Sequence, residues 1–244
     1  MPRFFVLPDA FSGHFAVLEG EQAAHAKVLR LSCGDEVTLC DGHGREARCT
    51  ITDFSDQRIC LTIHEETASK AEPSLFCSVY MGFPKADKFE HVIQKATELG
   101  ASEVIVFPCA RSVSRPDEKS LKKKLERWQK IAASAAEQSG RGIVPEVLVL
   151  PSFEAAVTRA SSAQLSALFY ENERTTSFRS ACTGRSIQTA ALMTGPEGGL
   201  TEQEVSVAHS AGMIVCSLGP RILRCETAPL CALSALMFQT GELD

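Results

Sequence analysis

Two apolar segments near the end of the chain, each followed by a loop with glycine and proline and then by a helix-forming segment, constrain the fold most. Residues 190–193 precede a loop at 195–199, and residues 213–216 precede a loop at 218–227. Short apolar runs bounded by glycine are typical of buried strands. Two strand–loop–helix units side by side predict a parallel sheet, and such open sheets bind ligands at the carboxyl ends of their strands. We therefore expect both loops at one ligand-binding edge.

The residues of these two loops disfavour phosphate as the ligand. A phosphate cradle uses free backbone N–H groups and usually a cation, whereas Pro196 lacks an N–H group and Glu197 adds a negative charge. A flat, uncharged or cationic ligand suits the loops better, and Leu218, Ile222 and Leu223 would form an apolar slot for an aromatic ring. A tight turn, in which the glycines serve only the backbone conformation, is the alternative.

The segment 73–192 alternates strand-like with helix-like stretches. The strand-like stretches are 75–81, 103–107, 147–150 and 165–170. Strands separated by helix-length segments predict right-handed crossovers and a parallel sheet. Further along, Thr201 followed by Glu204 is a capping box, which predicts that a helix begins near residue 202.

The first part of the chain has a different pattern. Residues 1–72 contain short strand-like stretches, the hairpin signal Asp41-Gly42 and one short helix-like stretch at 21–31. This pattern predicts a small β-barrel. Residues 68–73 are small or polar and end in proline, which is typical of a domain boundary. We therefore expect one domain at 1–72 and a second at 73–244.

The net charge of −5 argues at first against an RNA-binding protein. The charges are unevenly spread, because residues 73–145 carry 12 basic and 8 acidic side chains while the segments on both sides are acidic. A local basic surface is compatible with phosphate contacts on an acidic protein. A solvated helix face is the alternative for any single lysine.

The ten cysteines include no Cys-x-x-Cys pair, so the spacing typical of metal sites is absent. Most lie in apolar runs, including Cys77, Cys216 and Cys231, which predicts reduced, buried thiols in a cytoplasmic protein. Pro8 interrupts the first apolar run, so no signal peptide is expected, and the apolar stretch 228–238 is too short to span a bilayer. We expect no metal and no membrane partner.

Residues 193–204 and 217–228 together resemble the knotted SPOUT methyltransferases, and more closely the bacterial family that methylates N3 of a uridine in 16S ribosomal RNA, at uracil 1498. Residues 85–145 and 25–30 resemble this family more weakly. The resemblance implies an α/β fold, in which a parallel-sheet α/β knot, trefoil-knotted at its carboxyl-terminal end, follows an RNA-binding PUA-like β-barrel. It also implies S-adenosylmethionine in the knot loops, a homodimer, and 16S ribosomal RNA or the small ribosomal subunit as the partner.

The resemblance further implies roles for individual residues. The candidate catalytic residues are Arg224, Glu226 and Arg141. The candidate cofactor-binding residues are Thr194, Gly195, Pro196, Glu197, Gly198, Gly199, Leu218, Gly219, Ile222, Leu223 and Tyr170. The candidate RNA-binding residues are Arg3, His25, Arg30, Lys88, Arg111, Arg115 and Gln138.

The expected chemistry explains the choice of the catalytic candidates. Uracil N3 must lose its proton as it is methylated, so a cation that stabilises the uracil anion suits Arg224, and an orienting or proton-accepting carboxylate suits Glu226. A charge that interacts with a helix dipole is the alternative role of Glu226. A nearby carboxylate such as Glu197 suits a cationic sulfonium.

Other functions stay open from the sequence. A Rossmann-type enzyme that uses a dinucleotide or ATP is one alternative, and the missing phosphate motifs count against it. A non-catalytic RNA-binding knot protein is another, and the intact glycines and Arg224 count against it. A knotted methyltransferase that acts on another RNA nucleotide is the third.

Overall fold

The computed structural model describes residues 1–55, 58–113 and 117–243, and the chain divides into two compact units. The first unit combines Met1–Glu72 with Ala136–Val144, and the second combines Pro73–Ala135 with Pro145–Asp244. The units thus differ from the expected domains in one segment, because residues 136–144 pack with the first unit.

The carboxylate of Glu72 holds the segment 136–144 in the first unit. It accepts hydrogen bonds from the Arg141 guanidinium at 2.7 Å and from the backbone N–H groups of Gly142 at 2.8 Å and Ile143 at 3.0 Å. The Arg141 side chain is only 5% exposed. Removing one partner of a buried ion pair leaves the other charge buried without a partner, which strongly destabilises a protein. This contact therefore holds Glu72 and the segment 136–144 together firmly.

The first unit contains a six-stranded mixed sheet and one α-helix, α1 (Gly20–Val28). Its strands are β1 (Arg3–Phe5), β2 (Phe11–Ser12), β3 (Phe15–Glu19), β4 (Glu36–Cys40), β5 (Arg45–Phe54) and β6 (Arg58–Ala68). The strand order is β1-β4-β5-β6-β3-β2, and only the β1–β4 ladder among these described strands is parallel. The hairpin signal is confirmed, because β4 pairs with β5 and the Asp41 carboxylate accepts from the His43 N–H at 2.7 Å.

The second unit contains a six-stranded sheet in which every described ladder is parallel, as predicted. Its strands are β7 (Phe76–Gly82), β8 (Glu103–Phe107), β9 (Glu146–Val149), β10 (Leu165–Phe169), β11 (Thr189–Thr194) and β12 (Ile214–Cys216). The order is β12-β10-β11-β7-β8-β9. The helices that lie wholly in the second unit are α2 (Lys88–Glu98), α4 (Phe153–Ala160), α5 (Phe178–Cys182), α6 (Glu202–Ser210) and α7 (Thr227–Gln239), whereas α3 (Glu118–Ser139) begins in the second unit and ends in the first. The trefoil knot that the resemblance implies stays a prediction.

One expectation about this sheet is wrong. The two glycine-loop units were expected side by side, but β10 lies between β11 and β12 and pairs with both. The strand β10 is fully apolar or small and buried along its whole length, which is typical of a central parallel strand. Its carboxyl end therefore enters the same edge of the sheet as the two loops.

A local signal predicted the start of α6 correctly. The capping box is present in both directions, since the Thr201 hydroxyl accepts from the Glu204 N–H and the Glu204 carboxylate accepts from the Thr201 N–H. The helix α2 buries the apolar face that its spacing predicts, including Phe89. Trp128 packs edge to face on Phe89, with ring centroids 4.8 Å apart, so it is a core residue.

The described cysteines are all free thiols. Most are buried, as expected, but Cys231 on α7 is exposed, which corrects the expectation for that residue. Burial raises the pKa of the Cys49 thiol to about 11, so it stays protonated at neutral pH. None of the described helices combines the length and the hydrophobicity that crossing a lipid bilayer requires.

Candidate active site

A cavity of about 440 Å³ opens at the carboxyl ends of β10, β11 and β12. All eleven residues predicted to bind a cofactor line it, and so does Arg224. The loop 195–199 forms one wall and the segment 217–225 forms another. A third wall comes from the end of β10, where Phe169 and Glu171 join the predicted Tyr170. The structure thus brings the predicted cofactor residues together, and their binding role stays a prediction.

The backbone of the loop 195–199 packs too closely for side chains at two of its glycines. A Cβ atom on Gly195 would lie 2.9 Å from the carbonyl carbon of Gly199. Gly199 has a φ of +68°, and its Cβ would collide with the carboxylate of Glu171. A side chain is also excluded at Gly82, at the end of β7, since a Cβ atom added there would lie 2.6 Å from Cδ of Pro196. Because only glycine permits this conformation and these close approaches, the loop can fold tightly over the sheet edge.

Two side chains hold the loop 195–199 against the loop that follows β8. The buried carboxylate of Glu204 caps α6 with one oxygen and accepts from the Ala110 N–H at 2.7 Å with the other. The exposed Arg111, predicted to bind RNA, donates to the carbonyl oxygen of Gly198 at 2.8 Å. The sequence predicted the capping role of Glu204, but its contact with Ala110 joins residues 94 positions apart and has no local signal.

Lys88, the first residue of α2, connects both loops of the cavity. Its Nζ lies 3.0 Å from Oε1 of Glu197 and 3.3 Å from Oε2 of Glu226. The Glu197 carboxylate also accepts from the backbone N–H of Lys85 at 3.0 Å. Burial of Glu197 acts to raise its pKa, but the hydrogen bonds from Lys85 and Lys88 outweigh it and hold the pKa below its usual range. The Glu197 charge therefore has protein partners, one of which it shares with Glu226, and its suitability for a cationic sulfonium stays a prediction.

Glu226 does not line the cavity itself but lies beside it, next to Cys225. Burial, together with the hydrogen bond to Glu226, raises the pKa of the Cys225 thiol to about 12, so the thiol keeps its proton and donates to Glu226 at 3.2 Å. Burial acts to raise the pKa of Glu226, yet hydrogen bonds, including those from Cys225 and Lys88, lower it below its usual range. A carboxylate with a lowered pKa is a weak proton acceptor at neutral pH. The geometry therefore favours an orienting role for Glu226.

The free polar groups of the cavity are few. Glu171 lines it, and no described residue donates a hydrogen bond to the Glu171 carboxylate. Arg224 is exposed, and its guanidinium has no hydrogen-bond or ion-pair partner in the described part of the chain. Ile222 is 82% exposed although it is apolar, and it stands at the cavity with the half-buried Leu218 and Leu223. The cavity thus offers a ligand an apolar wall, the carboxylate of Glu171 as a hydrogen-bond acceptor and the guanidinium of Arg224 as a cation, and the exposed Arg221 also lines it.

The side chain of Arg141 is held by an ion pair within the first unit. Its side chain is buried in the first unit and is bonded to Glu72. Since Glu72 already pairs with its charge, this contact gives the catalytic role of Arg141 no support, and that role stays a prediction. Sequence reasoning missed this pairing because the two residues are 69 positions apart.

The remaining RNA-binding candidates lie in different places. Arg3 is bonded to Glu46 at 2.7 Å, so its charge is already used. His25 faces Glu137 at 3.4 Å, and Arg30 is exposed with a φ of +58°. Gln138 is exposed near the end of α3. Arg115 lies outside the described residues.

A second cavity, of about 790 Å³, lies at the carboxyl ends of β8 and β9 and was not predicted. Phe83 and Phe153 line it, and Glu204 closes it on the side of α6. It shares no lining residue with the first cavity. Among the described residues, no group of three or more histidine, cysteine, aspartate or glutamate side chains is placed to hold a metal ion.

Comparison with known proteins identifies similar chains. An RNA methyltransferase domain family matches residues 71–237, and an RNA methyltransferase PUA domain family matches residues 18–63. Ribosomal RNA small subunit methyltransferase E of Bacillus subtilis is 40% identical over 93% of this chain and 91% of its own length. The Mycobacterium tuberculosis protein of the same name is 32% identical over 98% of this chain and 91% of its own length.

A solved structure is similar over the whole fold. It is the Neisseria gonorrhoeae ribosomal RNA small subunit methyltransferase E bound to S-adenosylmethionine, with a TM-score of 0.86 and 33% identity. The similarity covers 98% of this chain and 97% of that one. Together with the PUA domain match, it confirms the predicted α/β fold with a PUA-like first part.

The contact between Gly199 and Glu171 predicts a specific stability difference. The change Gly184→Ala introduces a side chain at a φ of +72° into open space, and we expect it to lower the free energy of unfolding by about 1 kcal/mol. The change Gly199→Ala has a similar φ but adds the collision with Glu171, so we expect a loss of about 2–3 kcal/mol. Urea unfolding, followed by circular dichroism, measures both.

The double variant Gly199→Ala, Glu171→Ala provides the control. It removes the collision, so it should be no more unstable than the Gly184→Ala variant once the effect of Glu171→Ala alone is subtracted. Equal losses for the two single glycine variants would show that the Glu171 contact does not matter.

Proposed function

We propose, from the premise that this chain belongs to the ribosomal RNA small subunit methyltransferase E family, that it transfers a methyl group from S-adenosylmethionine to N3 of one uridine in 16S ribosomal RNA. The protein is an S-adenosylmethionine-dependent methyltransferase of that family. The choice of N3 and of one uridine in the decoding region is our proposal. The observation that carries it is the cavity at the carboxyl ends of β10, β11 and β12, which Arg224 and all the predicted cofactor-binding residues line.

The residues of the cavity fit the cofactor. Its volume, about 440 Å³, lies in the range of small-molecule sites, and Leu218, Ile222 and Leu223 would hold the adenine ring. The backbone of the loop 195–199 would approach the ligand closely, since its glycines carry no side chains. The carboxylate of Glu171, which accepts no hydrogen bond from the described residues, would accept from the ribose hydroxyl groups.

The chain's own charges suit the reaction at N3. When bound, S-adenosylmethionine supplies an electrophilic methyl group. Arg224 would stabilise the negative charge that develops on the uracil as its N3 proton leaves. Glu226, held ionised by Lys88 and Cys225, would orient the reacting groups rather than accept the proton. Because N3 lies on the pairing edge of the base, the target uridine must be unpaired or splayed out.

RNA contacts are proposed for residues with exposed polar side chains. Arg30 and Gln138 are exposed, and Arg111 can contact a phosphate from its exposed position beside the loop 195–199. His25 is a weaker candidate because it already faces Glu137. The substrate class, 16S ribosomal RNA or the small subunit, follows from the family.

A labelling experiment tests the proposal. The protein is incubated with S-adenosylmethionine carrying a labelled methyl group and with small ribosomal subunits that lack this modification. We expect label in 16S ribosomal RNA, and mass spectrometry of the digested RNA should show 3-methyluridine at one position. Label on another atom or nucleotide would overturn the assignment of N3. Absence of label, with thermal stabilisation by ATP or NAD instead, would favour the Rossmann-type alternative.

The role of Arg224 predicts a selective loss of turnover. The change Arg224→Ala should lower kcat by roughly 100-fold to 1000-fold, because it removes the cation that faces the developing uracil anion. Binding of S-adenosylhomocysteine, measured by calorimetry, should stay within about threefold of the wild-type value. The exposed Arg185, which does not line the cavity, gives the matched control Arg185→Ala. Turnover of Arg224→Ala near the wild-type rate would remove Arg224 from the mechanism.

We also propose that the protein is a homodimer through α7. This helix has no charged side chain, and it buries Leu233 and Leu236 on one side. On its other side Cys231, Ala235 and Phe238 are exposed, and Phe238 is 72% exposed. A helix that is apolar on all sides is usually buried on all sides, so a second copy of the chain is the partner that would cover this face.

A charge on this face should disrupt the dimer. We expect sedimentation equilibrium to give a dimer for the wild-type protein and a monomer for Phe238→Glu, since the introduced carboxylate would be buried without a partner. The variant Ser210→Glu, at an exposed position of α6, adds the same charge on a different helix and should stay dimeric. A wild-type monomer at micromolar concentration would contradict the proposal.

A further inference from the structure

Lys88 occupies an unusual position for a lysine. It is the first residue of α2, where the positive end of the helix dipole disfavours a cation. It is held there by two carboxylates from different loops, Glu197 at 3.0 Å and Glu226 at 3.3 Å. The Cys225 sulfur lies 3.7 Å from the same Nζ. The two ion pairs with residues far away in the sequence therefore offset the unfavourable interaction of the lysine with the helix dipole.

The backbone before Lys88 supports the same contact. Ala86 has a φ of +52°, a conformation that residues with a Cβ rarely adopt. It lies between Lys85, whose N–H donates to Glu197, and Lys88, whose ammonium pairs with the same carboxylate. Strained residues persist where surrounding contacts over-determine them, and such residues concentrate at functional sites. The Glu197 carboxylate thus contacts residues on both sides of the strained Ala86, namely the N–H of Lys85 and the ammonium of Lys88.

The side chains of this cluster are partly accessible, with 29% exposure for Lys88, 27% for Glu197 and 21% for Glu226. One cation therefore stands between two anions at the rim of the cavity. If Lys88 turned away to contact an RNA phosphate, the two carboxylates would be left without their shared cation. The geometry favours contacts within the protein over the RNA contact that the sequence predicted for Lys88.

We propose that Lys88 is a positioning residue that ties the loop 195–199 to the segment 224–226 and so keeps the two walls of the cofactor cavity together. This inference rests on the proposed function, because the cavity is taken as the cofactor site. It adds that the cofactor affinity depends on a charge outside the apolar slot. A ligand that needs both walls binds less tightly when only a fraction of the molecules has them together.

The experiment uses the full-length protein and S-adenosylhomocysteine as the probe, with calorimetry as the measurement. We expect Lys88→Met to raise the Kd by roughly tenfold, because the walls then separate for most of the time. The variant Lys88→Arg should restore the Kd to within about threefold, since a guanidinium can bridge two carboxylates. In turnover assays Lys88→Met should raise the KM for S-adenosylmethionine more than it lowers kcat.

A neighbouring lysine gives the matched control. Lys85→Met removes one positive charge from the same exposed turn but keeps the backbone N–H that donates to Glu197. Its Kd should equal that of the wild-type protein. Hydrogen exchange of the ligand-free proteins, followed by mass spectrometry, should show faster exchange in peptides that cover 195–199 and 224–228 for Lys88→Met only.

The outcomes separate this inference from the proposed function. An unchanged Kd and unchanged exchange in Lys88→Met, with a salt dependence of RNA binding that is lower by about 0.7–0.9 in log–log slope, would show that Lys88 is a phosphate contact and overturn the inference. Failure of the wild-type protein to bind S-adenosylhomocysteine would count against the proposed function. In that case faster exchange in Lys88→Met would still support the tie between the two loops.

Discussion

The site depends on the parallel pairing of β10 with β11 on one side and with β12 on the other. Leu168 pairs with Met193 and Phe169 pairs with Cys216, so the three strands end at nearly the same level. Because parallel strands point the same way, all three following segments begin at one edge. A one-residue slip in either ladder would exchange the side chains that β10 presents to the two buried faces of the sheet, so the packing on each face specifies the register. The packing of the apolar core therefore determines where the cavity lies.

The sequence predicted the parts of this arrangement that depend on short-range patterns. The capping box of α6 joins residues three positions apart, and the hairpin at Asp41 and the apolar face of α2 are also set by nearby residues. The strand boundaries of the parallel sheet came out within one or two residues for the same reason. The insertion of β10 between β11 and β12 was missed because nothing in the order of the elements along the chain fixes their order in the sheet.

The individual side-chain roles were harder to predict, because ion pairs join distant residues. Arg141 and Lys88 were assigned to catalysis and RNA binding from their charge and their place in family-like motifs. In the structure each is paired with carboxylates far away in the sequence, Arg141 with Glu72 and Lys88 with Glu197 and Glu226. A residue type indicates which interactions are possible, whereas the fold determines which residues lie close enough to form the ion pair.

The distribution of used and unused charges around the cavity then narrows the chemistry. Glu197, Glu204 and Glu226 already accept hydrogen bonds from protein groups, so fewer of their lone pairs are open to a ligand. Glu171, Arg221 and Arg224 differ, since no described residue neutralises any of these side chains. An acceptor without a protein donor suits a ligand with hydroxyl groups, and a free cation suits a substrate that becomes negative during reaction. An adenosine cofactor and a uracil that loses its N3 proton meet both requirements. A phosphate ligand fits less well, because it would lie close to the negative charge of Glu171 and beside a loop in which Pro196 has no N–H group to donate. The site's preference follows from which of its charges the protein leaves unpaired.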